Sequence, residues 1–96
     1  MNPDKVYIFH EDPGHGWLAV KRKELVELDI IHKVSSCSYE RGETVYLEED
    51  CDASLFIRTL RDKEIEIKYR ESVSPINLSP IRNYDCFTLR VGEKTA

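Results

Sequence analysis

The stretch TVYLEEDCDASLFIRTLRDKEIEIKYRE, residues 44–71, decides the fold. Its apolar period changes twice. Over residues 44–49, Val45 and Leu47 fall on one face and Tyr46 on the other, the two-residue period of a strand. Over residues 53–63, Leu55, Phe56, Thr59 and Leu60 recur at three and four, the stripe of an amphipathic helix. Over residues 64–71, Ile65, Ile67 and Tyr69 alternate with Glu64, Glu66, Lys68 and Arg70, which predicts a strand with one buried and one wet face. Asp52, or Asp50, is placed to cap the helix N-terminus. A strand, helix and strand in this order predict a right-handed crossover with the two strands parallel.

The flanks add to this unit. Residues 5–10 read as a strand, with Val6, Ile8 and His10 on one face and Tyr7 and Phe9 on the other, so it belongs inside the sheet. Glu11-Asp12-Pro13-Gly14-His15-Gly16 is a turn, and residues 17–20 resume as a strand, so the pair predicts a hairpin. Leu25, Leu28, Val26 and Ile30 predict a short helix over residues 21–30. Lys21, Arg22 and Lys23 oppose its dipole and are expected to spread into solvent. Residues 31–41 read as irregular. Pro75 and Pro80 mark residues 72–80 as a connector. Phe87, Leu89 and Val91 predict a last inward-facing strand over residues 84–91, and residues 92–96 a frayed end. The expectation is α+β: one small domain over residues 1–96, a mixed β-sheet with two helices in the order ββαβαββ. Both helices lie on one face, and the other face is partly open.

Composition bounds the function. The chain has 96 residues, enough for one core and too few for two. No apolar run approaches the roughly 20 residues that span a bilayer, which excludes a membrane protein of that kind. The start Met1-Asn2-Pro3-Asp4-Lys5 has no basic region followed by an apolar one, so the chain is expected in the cytoplasm. Cys37, Cys51 and Cys86 are odd in number and irregularly spaced, as reduced thiols are. Fourteen basic against eighteen acidic side chains give a net charge of -4, which argues against direct nucleic-acid binding and suits a basic surface on another protein. Because Val6, Tyr7, Ile8 and Phe9 are apolar on both faces of their strand, a homodimer is one way to cover them.

Candidate chemistry is sparse. His10, Glu11, Asp12 and His15 are imidazole and carboxylate groups within six residues, the one set that could hold a divalent metal or serve a small enzyme. Their spacing matches no metal motif, and a solvated turn accounts for them. No nucleophile elbow and no phosphate-cradling glycine loop occurs, so no catalytic residue and no cofactor is expected. Over residues 40–52, Glu40, Glu43, Glu48, Glu49, Asp50 and Asp52 face a single cation, Arg41. Sharing one surface, they would meet a basic patch.

Two segments are distinctive: Asp12-Pro13-Gly14-His15-Gly16-Trp17-Leu18, and Ser38-Tyr39-Glu40-Arg41-Gly42-Glu43-Thr44-Val45-Tyr46-Leu47-Glu48-Glu49-Asp50-Cys51-Asp52. Together they resemble a group of small, mostly uncharacterised proteins of phages, prophages and plasmids. The resemblance spans roughly residues 10–56 and brings no catalytic residue with it. It implies a mobile-element accessory protein that modifies a host or defence protein of a bacterium by binding it, with inhibition one form of that modification. The expected contact residues are Glu48, Glu49, Asp50, His15 and Trp17, although for Trp17 core packing is the better reading, because a small domain needs its bulky side chains.

Overall fold

A computed structural model describes residues 5–74 and 76–93. The deciding stretch folds as strand β4 (Thr44–Glu48), helix α2 (Asp52–Asp62) and strand β5 (Lys68–Val73). Ahead of it come β1 (Val6–Glu11), β2 (Gly16–Lys21), the short helix α1 (Arg22–Glu27) and β3 (Tyr39–Arg41). After it comes β6 (Asp85–Cys86). The six strands form one mixed sheet in the order β5-β1-β2-β4-β3-β6. β1 runs parallel to β5 and antiparallel to β2, and β2 is antiparallel to β4. β4 and β5 are therefore parallel, as expected, with the β1–β2 hairpin between them.

The register sorts side chains onto two faces. Leu18 sits opposite Leu47 and Val20 opposite Val45, and all four are buried with Tyr7. Leu25 and Leu28 come onto this face from α1, and Phe56 and Leu60 from α2, so both helices serve one core. Each such side chain contributes about 1.5–3 kcal/mol by leaving water.

The structure differs from expectation at five places. Ile65 and Ile67 belong to the connection after α2, half-buried against the core, and β5 begins only at Lys68. Glu64, at φ 60, turns the chain there, and Tyr69 is 52% exposed, because the edge strand β5 lies beyond the cover of the helices. β3 lies in the segment expected to be irregular; three residues are too few to show an alternation. α1 stops at Glu27, and Asp29, at φ 57, carries the chain on so that Ile30 is buried through a turn while Val26 stays exposed.

The other two differences concern polar groups. The residue before α2 is Cys51, and neither Asp50 nor Asp52 caps it. Asp52 is the first helical residue, and its Oδ2 instead accepts from Ser35 N at 3.0 Å, Ser35 Oγ at 2.8 Å and Ser38 Oγ at 2.5 Å. The last strand shrinks to Asp85–Cys86: Phe87 is buried, but Leu89 and Val91 are exposed. The chain leaves the sheet because Arg22 holds it. Arg22 is buried rather than solvated, donating to Glu93 Oε2 at 2.6 Å, to Glu93 Oε1 at 2.7 Å and to the Thr88 carbonyl. Residues 1–4, Pro75 and residues 94–96, part of the expected frayed end, lie outside the described residues. Among the described residues, no helix is long and apolar enough to cross a membrane.

Candidate functional site

The turn between β1 and β2 is organised by Asp12. Its Oδ1 accepts from Gly14 N at 2.9 Å and His15 N at 3.0 Å. From the far end of the chain, Ser79 N donates to Oδ2 at 2.9 Å, and Arg82 reaches both oxygens at 2.6 and 2.8 Å. The Arg82 guanidinium and these amides hold the Asp12 carboxyl well below the usual carboxylate range. All its acceptor capacity is spent inside the protein, so Asp12 is no metal ligand. The expected set of His10, Glu11, Asp12 and His15 does not converge. His10 lies against Tyr46, with ring centroids 5.8 Å apart, whereas His15 Nδ1 lies 3.5 Å from Glu48 Oε1.

That contact leads to an acidic corner. The carboxylates of residues 40–52 do not share one surface. Glu40 accepts from Thr88 N and faces Arg22, Glu43 pairs with Arg90, and Asp52 clamps the Ser35–Ser38 turn. Glu48, Glu49 and Asp50 remain, with one oxygen from each within 4.8 Å of the others. Among the described residues they form the one group of three or more metal-ligating side chains that close together. Burial and then the charges of Asp50, Glu48 and Glu11 push the Glu49 carboxyl up, with His15 opposing. Glu48 is the support of the corner: buried, it accepts from Asp50 N at 2.9 Å, and its own N donates to Ser38 Oγ at 3.0 Å. Gly16 makes room for this packing, since a Cβ there would meet the Phe9 ring at 2.7 Å and Glu49 Oε2 at 3.0 Å. Hydrogen bonds with Cys37 and Glu48 push the Cys51 thiol up to about 12, so it stays protonated and is a poor nucleophile.

The five expected contact residues divide. Glu49 and Asp50 are exposed, and the His15 side chain is half-exposed. Trp17 is 1% exposed, so it is no surface anchor. Its ring lies between Tyr39 at 6.2 Å and His15 at 6.0 Å, with the Arg82 guanidinium 5.6 Å from its centroid. It forms the floor beneath the turn.

The sheet face opposite the helices carries a second feature. His10, Tyr46 and Tyr84 line up there, with Tyr46 and Tyr84 5.2 Å apart. Burial lowers His10 and raises Tyr46, so both rings are uncharged at neutral pH. Sequence reasoning had no signal for Tyr84 or Arg82, because each meets its partners only after the chain has folded back. No family model matches the chain, no curated protein matches its sequence, and no solved structure matches its fold.

Proposed function

We propose that this chain is a non-catalytic binding protein that docks its acidic corner onto a basic patch of a bacterial protein. The observation that carries the reading is the crowding of Glu49 with Glu48 and Asp50, one oxygen of each within 4.8 Å of the others; burial first, and then the charges of Asp50, Glu48 and Glu11, raise the proton affinity of Glu49. Uncompensated like charges cost stability, and a cationic partner relieves them. Saturation of Asp12 by Arg82 and protonation of the Cys51 thiol support a non-catalytic role. The likeness of residues 10–56 to phage, prophage and plasmid proteins supports an accessory factor in the host cytoplasm that inhibits a host or defence protein.

The test is capture from a bacterial lysate at low and high salt, with the wild type beside a Glu49→Lys/Asp50→Lys variant. A specific partner, lost at high salt and lost by the folded variant, is the expected result. Capture of the same partner by both proteins at equal strength would overturn it. Elemental analysis of the purified protein separates the other reading: one divalent metal per chain, removed by the same two substitutions, would replace docking with metal-dependent chemistry at this corner.

A further inference from the structure

We infer that the open sheet face, away from the acidic corner, is a binding surface for single-stranded RNA. The net charge of the chain hides how its charges are sorted. By the strand register, this face carries Lys21 from β2, Arg41 from β3, and Lys68 and Arg70 from β5. The one strand carboxylate on it is Glu48, at the Trp17 end. Between the cations lie the rings of His10, Tyr46 and Tyr84. Lys21 Nζ donates to Thr44 Oγ1 at 3.3 Å, and the Arg41 guanidinium lies 5.0 Å over the Tyr84 ring, so two of the four cations are placed beside the row.

Two depressions of about 270 and 210 Å³ meet at His10 and Tyr46, the first floored by Val6, Ile8 and Ala19. Flat rings on a sheet with cations at the rim are what an unpaired strand needs: bases stack on any π-face, and phosphates meet the cations. A duplex offers only its grooves and backbone to such a face. The second depression is lined by Ser72 and Ser74 beside Tyr84, with Glu11 at its hairpin end. Hydroxyls there suit a ribose 2′-hydroxyl, which selects RNA over DNA.

The experiment is fluorescence anisotropy of the full chain with labelled oligouridylate and oligothymidylate, each about twelve nucleotides long. The four cations predict a log–log salt slope of up to about -2.8 for the RNA strand. Lys21→Gln/Arg70→Gln, both exposed side chains, reduces the slope in magnitude by about 1.4. Tyr84→Leu lowers affinity about tenfold with the slope unchanged, and Tyr84→Phe restores it. Should Tyr84→Leu not fold, the double-glutamine variant carries the test by slope alone. The inference is overturned by absence of RNA binding at low salt, by an unchanged slope in the double variant, or by equal affinity for the thymidylate strand. Equal affinity for an RNA duplex or for vesicles of phosphatidylcholine and phosphatidylserine also overturns it, since either would show attraction by charge alone.

Discussion

Arg82 closes on Asp12 through two parallel contacts, Nε to Oδ2 at 2.6 Å and a terminal nitrogen to Oδ1 at 2.8 Å, across 70 residues of sequence. This fork joins the β1–β2 turn to residues 79–84, and so lays that segment over the open side of the sheet. Ser79 N adds a third contact to Asp12, and Ile81 of the same segment is buried. The pair thus shapes both surfaces proposed above: it fixes the turn that presents His15, and it brings Tyr84 to Tyr46.

Acid should release this segment before it unfolds the sheet. The folded pKa of Asp12 is depressed, so its contribution is fully present above the unfolded value of about 3.9 and is lost as pH falls below that toward the folded value. Trp17 lies under Arg82, so its emission reports the release. A red shift beginning below about pH 4 is expected in the wild type. Asp12→Asn should show the shifted emission already at neutral pH, with little further change between. Wild-type emission from Asp12→Asn at neutral pH, with no faster proteolysis than the wild type, would show that the fork does not hold the segment.

Tyr69 and Phe56 make opposite predictions from similar sequence signals. Phe56 is fully buried and lies edge-on to Tyr7 at 5.4 Å, so Phe56→Ala should cost about 3–5 kcal/mol in urea unfolding. Tyr69 is half-exposed, with one ring contact to Phe9 at 6.3 Å, so Tyr69→Ala should cost about 1 kcal/mol or less. Equal costs would mean that something further covers β5 in solution.

That contrast marks how far the sequence could be read. Val45, Leu47, Phe56 and Leu60 were legible because each element repeats its apolar positions at its own period. Tyr69 was misread because alternation reports pairing in a sheet, while burial depends on what lies over it, and the helices lie over the other strands. Arg22 was misread because a cation in a basic run looks solvated. Its partners Glu40, Thr88 and Glu93 come from two distant segments. The acidic corner was half legible. Glu48, Glu49 and Asp50 are adjacent in sequence, but the removal of Glu40, Glu43 and Asp52 by other partners, and the arrival of Glu11, are properties of the folded chain.

Two ion pairs of the same length should differ in strength. Glu93 meets the buried Arg22 at 2.6 Å, and Glu43 meets the exposed Arg90 at 2.7 Å. Glu93→Ala leaves a guanidinium in the interior short of a counter-charge and should cost about 3 kcal/mol. Glu43→Ala should cost about 0.5 kcal/mol or less, since water and salt screen that pair. Thermal unfolding at low and high salt checks both, and salt should change only the Glu43 result. Near-equal losses would mean that the Arg22 pair is open to solvent.

The acidic corner should be a place where removing a charge strengthens the fold. The Glu49 carboxyl has a raised proton affinity, so in the folded state its ionised form is disfavoured relative to the unfolded chain. The sign follows: the fold loses stability as pH rises through the unfolded value and on through the folded one, and above both the full penalty remains. Glu49→Gln removes that penalty, so at pH 7 and low salt the variant should be more stable than the wild type. Glu49 is exposed, which limits the gain to about 0.5 kcal/mol. Below about pH 4 the two proteins should unfold alike, because Glu49 is then protonated in both states. Salt should narrow the difference without erasing it, since screening acts on the repulsions from Asp50, Glu48 and Glu11 but not on the larger contribution from burial. If the corner is an interface, the more stable variant binds the captured partner more weakly, because the lost charge is the one the partner would neutralise. Destabilisation by Glu49→Gln at neutral pH would mean that Glu49 makes a favourable contact inside the protein, and the corner would then have no unmet charge to offer.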